Sequence, residues 1–160
     1  MDFGAFLPVT ISWADALVRV GLSIVFALSI GVERFVHRKP VDFRPFVIIA
    51  LASCGLGIMA VELPFTSSDP NLSVDPAKVI SGVMSGIGFL GAGALFREGD
   101  IVKGAGSAAS IWSAGAIGLI CGMGFVWLAG LVAIGIVLLF LLSRRFADVD
   151  AYAAQIDDDG

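Results

Sequence analysis

The sequence is short of charge. Only 15% of its 160 residues are Asp, Glu, Lys or Arg, while 58% are hydrophobic. A soluble domain carries nearer about 25% charged residues. Such a chain cannot cover a globule with polar surface, which excludes an ordinary water-soluble domain. There is one histidine, His37, and two cysteines, Cys54 and Cys121. Both cysteines stand in apolar runs without C-x-x-C spacing, so neither a disulfide framework nor a zinc site is indicated. His37 lies among Arg34, Arg38 and Lys39, too far from any outward acid to build a Ser-His-Asp set. No enzyme is expected. The N-terminus lacks the basic region of a cleavable signal, so the first apolar run is expected to be retained.

Long apolar runs are what the chain does have. A bilayer core of about 30 Å needs roughly 20 helical residues. Candidate spans run over residues 17–32, 46–63 and 79–96. No charge occurs between Lys103 and Arg144, a stretch that would make a helix about 60 Å long, twice the core. It must fold back, and Gly122-Met-Gly124 is the natural turn. Fourth and fifth spans then cover 106–121 and 125–142. Strands are not expected, because the runs are long and lack alternation.

The formal net charge of −4 hides a segregated pattern. Residues 33–44 are basic, 64–76 carry no Lys or Arg, Arg97 and Lys103 follow the third span, and Arg144-Arg145 closes the fifth. By the positive-inside rule this predicts the N-terminus outside, five spans and the C-terminus in the cytoplasm. The fold expected is an all-α integral membrane protein, with a transmembrane domain over 1–146 and a short acidic, disordered tail over 147–160.

Gly86, Gly88 and Gly91 spell G-x-G-x-x-G. A dinucleotide site needs a preceding strand and an acid about 20 residues on. Here the glycines lie within a span, and no acid occurs between Asp100 and Asp148. Neither nucleotide nor nucleic acid is an expected partner. On a helix, Ser81, Ser85, Gly88 and Ala92 share a stripe with Gly82, Gly86 and Gly93 beside it. Val79, Val83, Ile87 and Leu90 fall opposite. Small residues let helices approach in lipid. The third and fourth spans are therefore expected to pack tightly through Gly82, Gly86, Gly88, Gly91, Gly93, Gly115 and Gly118, within one chain or across a subunit interface.

Charges near the spans are the remaining candidates. Asp15 and Arg19 are four apart and are expected to pair. Glu62 and Lys78 read as interfacial anchors. Glu33, Glu98 and Asp100 are the weak candidates for holding Mg²⁺ at the cytoplasmic end; a cation route would further need Ser81, Ser85, Ser107, Ser110 and Ser113. No cofactor is expected beyond that open question of Mg²⁺.

Three segments carry a resemblance: Gly31-Val-Glu-Arg34; Asp75-Pro-Ala-Lys78 with Ser85-Gly-Ile-Gly-Phe-Leu-Gly-Ala-Gly93; and Val102-Lys-Gly104 with Ala108-Ala-Ser-Ile-Trp112. Their order and spacing resemble the MgtC/SapB family of bacterial inner-membrane proteins over about residues 15 to 145. The resemblance implies five membrane helices and a link to growth at low Mg²⁺, survival in macrophages and acid resistance. It further implies a regulator acting on a membrane complex such as the F-type ATP synthase, with Mg²⁺ or other cation transport as the alternative. By position, the recurrent polar residues of the family fall on Glu33, Arg34, Arg44, Asp75, Lys78 and Arg97. There are departures. A usual Leu-Thr-Thr is here Ala105-Gly106-Ser107, a common Gln is Gly82, and the chain resembles a short form lacking the C-terminal ACT-like domain. The expected partners are the lipid bilayer and either a membrane protein or a second copy; the expected place is the inner membrane.

Overall fold

The computed structural model describes residues 7–36, 42–67, 72–98 and 101–158, with side chains described over 7–36, 42–67, 72–95 and 104–143. Among the described residues five helices form: α1 (Trp13–Val36), α2 (Arg44–Thr66), α3 (Pro76–Gly93), α4 (Ala105–Gly122) and α5 (Val126–Asp158). Between α3 and α4 lies a small antiparallel hairpin, β1 (Phe96–Glu98) with β2 (Ile101–Lys103), in the register Phe96 opposite Lys103. The sequence pattern predicts no strand there. The two strands are too short to contradict a helical architecture.

Local chemistry sets the boundaries. Asp75 precedes α3, and its carboxylate accepts from the Ala77 N–H at 2.9 Å, with Pro76 in the first turn where its missing N–H is harmless. Gly104 enters α4 at φ +91°, a left-handed conformation only glycine adopts freely, and a Cβ there would strike the Ala94 carbonyl. The turn expected at Gly122-Met-Gly124 is present: α4 stops at Gly122, Gly124 has φ +94°, and α5 begins at Val126.

Each helix runs opposite to the one before it. Gly31, near the end of α1, meets Phe43 and Phe46 at the start of α2. Ile87 and Gly91 of α3 meet Gly115 and Ala108 of α4, in reversed order. Phe26 of α1 meets Gly130 of α5, and Arg34 meets Phe140, so α1 and α5 are parallel.

The broadest contact joins α2 and α4, which are parallel. A Cβ on Gly118 would lie 2.7 Å from Ala50 Cα, and one on Gly57 2.8 Å from the Leu119 oxygen. A Cβ on Gly122 would strike the Cys54 carbonyl. Backbone touches backbone along this seam, which explains a core of small residues: Ala27, Ala50, Cys54, Ala114 and Cys121 are wholly buried around Ile30, Phe46 and Ile117. Such close approach of backbones through small residues is the packing by which helices associate where lipid tails surround them.

Among the described residues four helices are long and apolar enough to cross a membrane: α1, α2, α4 and the Val126–Ser143 part of α5. The fifth expected span, α3, is not among them. Its 18 residues include Lys78 and a series of glycines and serines that dilute its hydropathy. The tail also differs from expectation, because α5 continues as helix to Asp158.

Candidate functional site

Three features stand out: the two ends of α4 and the outer face of α3. Both ends of α4 are held by arginines of α1. Arg19 Nη1 donates to the Gly122 carbonyl at 2.9 Å. Fifteen residues on, Arg34 Nη2 donates to Ser107 Oγ at 2.9 Å, at the other end of the same helix. Arg19 sits where the helix dipole is negative, and the placement is favourable. It is thereby turned away from Asp15, its expected partner; the Asp15 N–H donates to the Ser12 hydroxyl.

Arg34 is in the opposite situation. Its guanidinium lies against the first turn of α4, the positive end of the dipole. It stacks over the Phe140 ring at 5.2 Å, an attraction of cation to ring face. A Cβ on Gly106 would come within 3.3 Å of it, so the bare glycine makes room. Among the described residues the Arg34 Nε is buried without a hydrogen-bond partner. A cation kept at the unfavourable pole with one donor unmet is not what packing alone would select. The sequence suggests Ser107 only as a route-lining hydroxyl. Nothing in its spacing betrays that it receives Arg34, because the two are 73 residues apart.

The other family-matched polar residues separate. Glu33 is half-buried in the last turn of α1. Arg44 is exposed and pairs with Asp42 at 3.3 Å. Asp75 is the α3 cap, and Lys78 is exposed. Arg97 and Glu98 lie on β1, and their side chains, like Asp100 altogether, fall outside the described residues. Among the described residues no group of three His, Cys, Asp or Glu side chains is placed to hold a metal ion. Nor do the route-lining serines converge. Ser110 and Ser113 donate back to Gly106 and Ala109 of their own helix, Ser107 is taken by Arg34, and Ser81 and Ser85 are exposed.

The glycines divide in a way the sequence pattern does not predict. The small-residue face of α3 is expected to pack on α4. The structure turns α3 the other way: Ile87 and Gly91 are buried, and Ser81, Gly82, Ser85, Gly86, Ala92 and Gly93 face outward. A Cβ on Gly82, Gly86, Gly88 or Gly93 would meet nothing within 4 Å. Phe89, on the same side, is 81% exposed. Gly91 alone of this series lies against α4, with its Cβ position 3.3 Å from the Ala108 oxygen. On α4, Gly115 receives Ile87 of α3 and Ile49 of α2, while Gly118 packs on α2. The physical reason is volume: Ile87 on the bulky side of α3 fills the hole that Gly115 leaves, and Gly118 and Gly122 are already used by α2.

A further polar cluster forms around Glu62, which the sequence reads as an interfacial anchor. Its carboxylate accepts from the N–H groups of Val9 at 2.6 Å, Thr10 at 3.0 Å and Ile11 at 2.9 Å, and from the Thr10 hydroxyl.

Comparison with known proteins places the sequence in a family. The family model described as "MgtC family" matches residues 20–149. The chain is 32% identical over 120 residues to Protein SapB of Bacillus subtilis, covering 72% of this chain and 52% of that protein. It is 32% identical over 125 residues to Protein MgtC of Brucella abortus, covering 78% and 50%. To Protein MgtC of Salmonella typhimurium it is 35% identical over 102 residues, covering 64% and 41%. The chain thus spans about half the length of the curated relatives it matches. No solved structure matches it. With the match reaching from the middle of α1 into α5, this chain belongs to the MgtC family.

Proposed function

We propose that this protein is a regulatory or interaction protein of the bacterial inner membrane, without catalytic activity, that acts by helix-to-helix contact with another membrane protein. The observation that carries the reading is the outward small face of α3. Large apolar side chains suit lipid, and Ile48, Leu131, Leu139 and Val25 of the other helices are all more than half exposed; α3 exposes Phe89 and Leu90 too, but sets them among exposed glycines and serines. A glycine and serine face toward lipid wastes contact, whereas against another helix it allows the backbones to approach.

Family membership supports a link to Mg²⁺ adaptation or virulence. The finer reading places this chain beside a membrane complex such as the F-type ATP synthase, sensitive to low Mg²⁺ or acid stress. Arg34, held at the unfavourable end of α4, would be the charged element that responds at that end of the bundle.

Replacing Gly86 or Gly88 with Leu tests the proposal. Association in detergent and in cells should be lost while the monomer stays folded, since neither Cβ would meet anything inside the chain. Unchanged association would sink it. A second assay separates the transport alternative: protein in sealed liposomes with a Mg²⁺-sensitive dye should give no flux above empty vesicles. Flux abolished by Glu33→Gln would replace regulation with transport.

A further inference from the structure

The carboxylate of Glu62 reaches back across the bundle end to the segment that precedes α1. Four donors of that segment converge on it: three consecutive backbone N–H groups, from Val9, Thr10 and Ile11, and the Thr10 hydroxyl. Three successive N–H groups aimed at one anion form a nest, which binds a negative oxygen and has little use for a neutral carboxylic acid. Ile11 is 8% exposed, so the segment is also pinned by one apolar side chain. An open groove of about 310 Å³ lies between this segment and α2, lined by Leu7, Pro8, Ile11, Trp13, Ile58 and Glu62 among others. The contacts to Glu62 are on the exposed side of the protein, within reach of solvent protons.

We propose that Glu62 is the bolt of a proton-released latch: ionised, it holds residues 7–12 against the end of α2; protonated, it lets them go. A proton on the carboxyl converts one acceptor oxygen into a donor, which then faces N–H groups that are donors themselves. No other described charge takes over the hold. Asp15 and Arg19, on α1, make no ion pair with Glu62; Asp15 is exposed and Arg19 is committed to Gly122. Asp75 is committed to the α3 cap, and Lys78 beyond it is exposed. The facing ends of α4 and α5 carry no charged residue between Gly115 and Leu142.

The test uses the full chain in lipid nanodiscs with a spin label on Leu7→Cys. Cys54 and Cys121 are wholly buried, so position 7 is the accessible thiol. On acidification from pH 7 to about pH 2, well below the ordinary glutamate value of about 4.3, the label should change from immobile to mobile, reversibly and with a single-proton profile. Glu62→Gln should remove the pH dependence, and Asp15→Asn should keep it. Hydrogen exchange of the unsubstituted chain gives an independent reading: after correction for intrinsic rates, protection at Val9–Ile11 should fall by about tenfold or more on protonation. A transition that survives Glu62→Gln, disappears in Asp15→Asn, or is missing from the unsubstituted chain would overturn the latch.

Discussion

Adding one methyl group at Gly118 and one at Gly86 should have opposite consequences. Both glycines lie within helices, and both substitutions are Gly→Ala. At Gly118 the new Cβ would stand 2.7 Å from Ala50 Cα and nearer still to the Ala50 carbonyl oxygen. Ordinary contact begins at 3.4 Å, so α2 and α4 must separate by at least about 0.7 Å over several turns. The obstacle is backbone, which cannot swing aside as a side chain can. Overpacking of this kind costs about 1–3 kcal/mol, and the seam is lined by small residues that would lose contact together. At Gly86 nothing lies within 4 Å of the new methyl. There the helix gains up to about 1 kcal/mol from the better helix former. The assay is unfolding of the purified monomer in mixed micelles by increasing SDS. Gly118→Ala should unfold at clearly lower SDS, and Gly86→Ala at the same or higher SDS than the unsubstituted chain. Equal tolerance at the two sites would refute the assignment of which glycines face inward.

Three further outcomes are expected. Ser107→Ala leaves the Arg34 guanidinium without its acceptor and should cost about 1–3 kcal/mol in the same unfolding assay; Ser107→Thr should restore most of it, and no loss in Ser107→Ala would contradict the contact. Asp75→Ala should cost about 1 kcal/mol as the loss of a helix cap, whereas Asp75→Asn should be nearly neutral; a folded Asp75→Asn protein that has lost association would show that the charge itself matters. Cys54 and Cys121 are wholly buried, so a maleimide reagent should label neither until the protein is unfolded in SDS. Rapid labelling of the folded chain would show that the α2–α4 seam opens.

The helices are legible because apolar length is a one-dimensional signal. Lys103 to Arg144 is too long for one crossing, so Gly122-Met-Gly124 is readable as a turn from spacing alone. The family is legible too, through strings such as Ser85-Gly-Ile-Gly-Phe-Leu-Gly-Ala-Gly93. The facing of α3 is not. A stripe of small residues says that a helix can approach something, without saying what. Gly82 and Gly118 look alike in sequence, and only the bulk of Ile87 set against the vacancy at Gly115 decides which face turns inward. The long-range polar contacts are illegible for a related reason. Arg19 to Gly122, Arg34 to Ser107 and Glu62 to Val9–Ile11 join residues 51 to 103 positions apart. The i, i+4 rule that suggests an Asp15–Arg19 pair knows nothing of a helix end waiting nearby.

The most direct test of the account places a photo-crosslinking residue at Phe89, on the open face of α3, and a control at Ile48, 65% exposed on α2. Both are illuminated in native membranes. A discrete protein adduct is expected from position 89 that disappears when Gly86→Leu is added, with only lipid adducts from position 48. Lipid adducts alone from position 89, or a protein adduct indifferent to Gly86→Leu, would contradict the claim that this face exists to meet another helix.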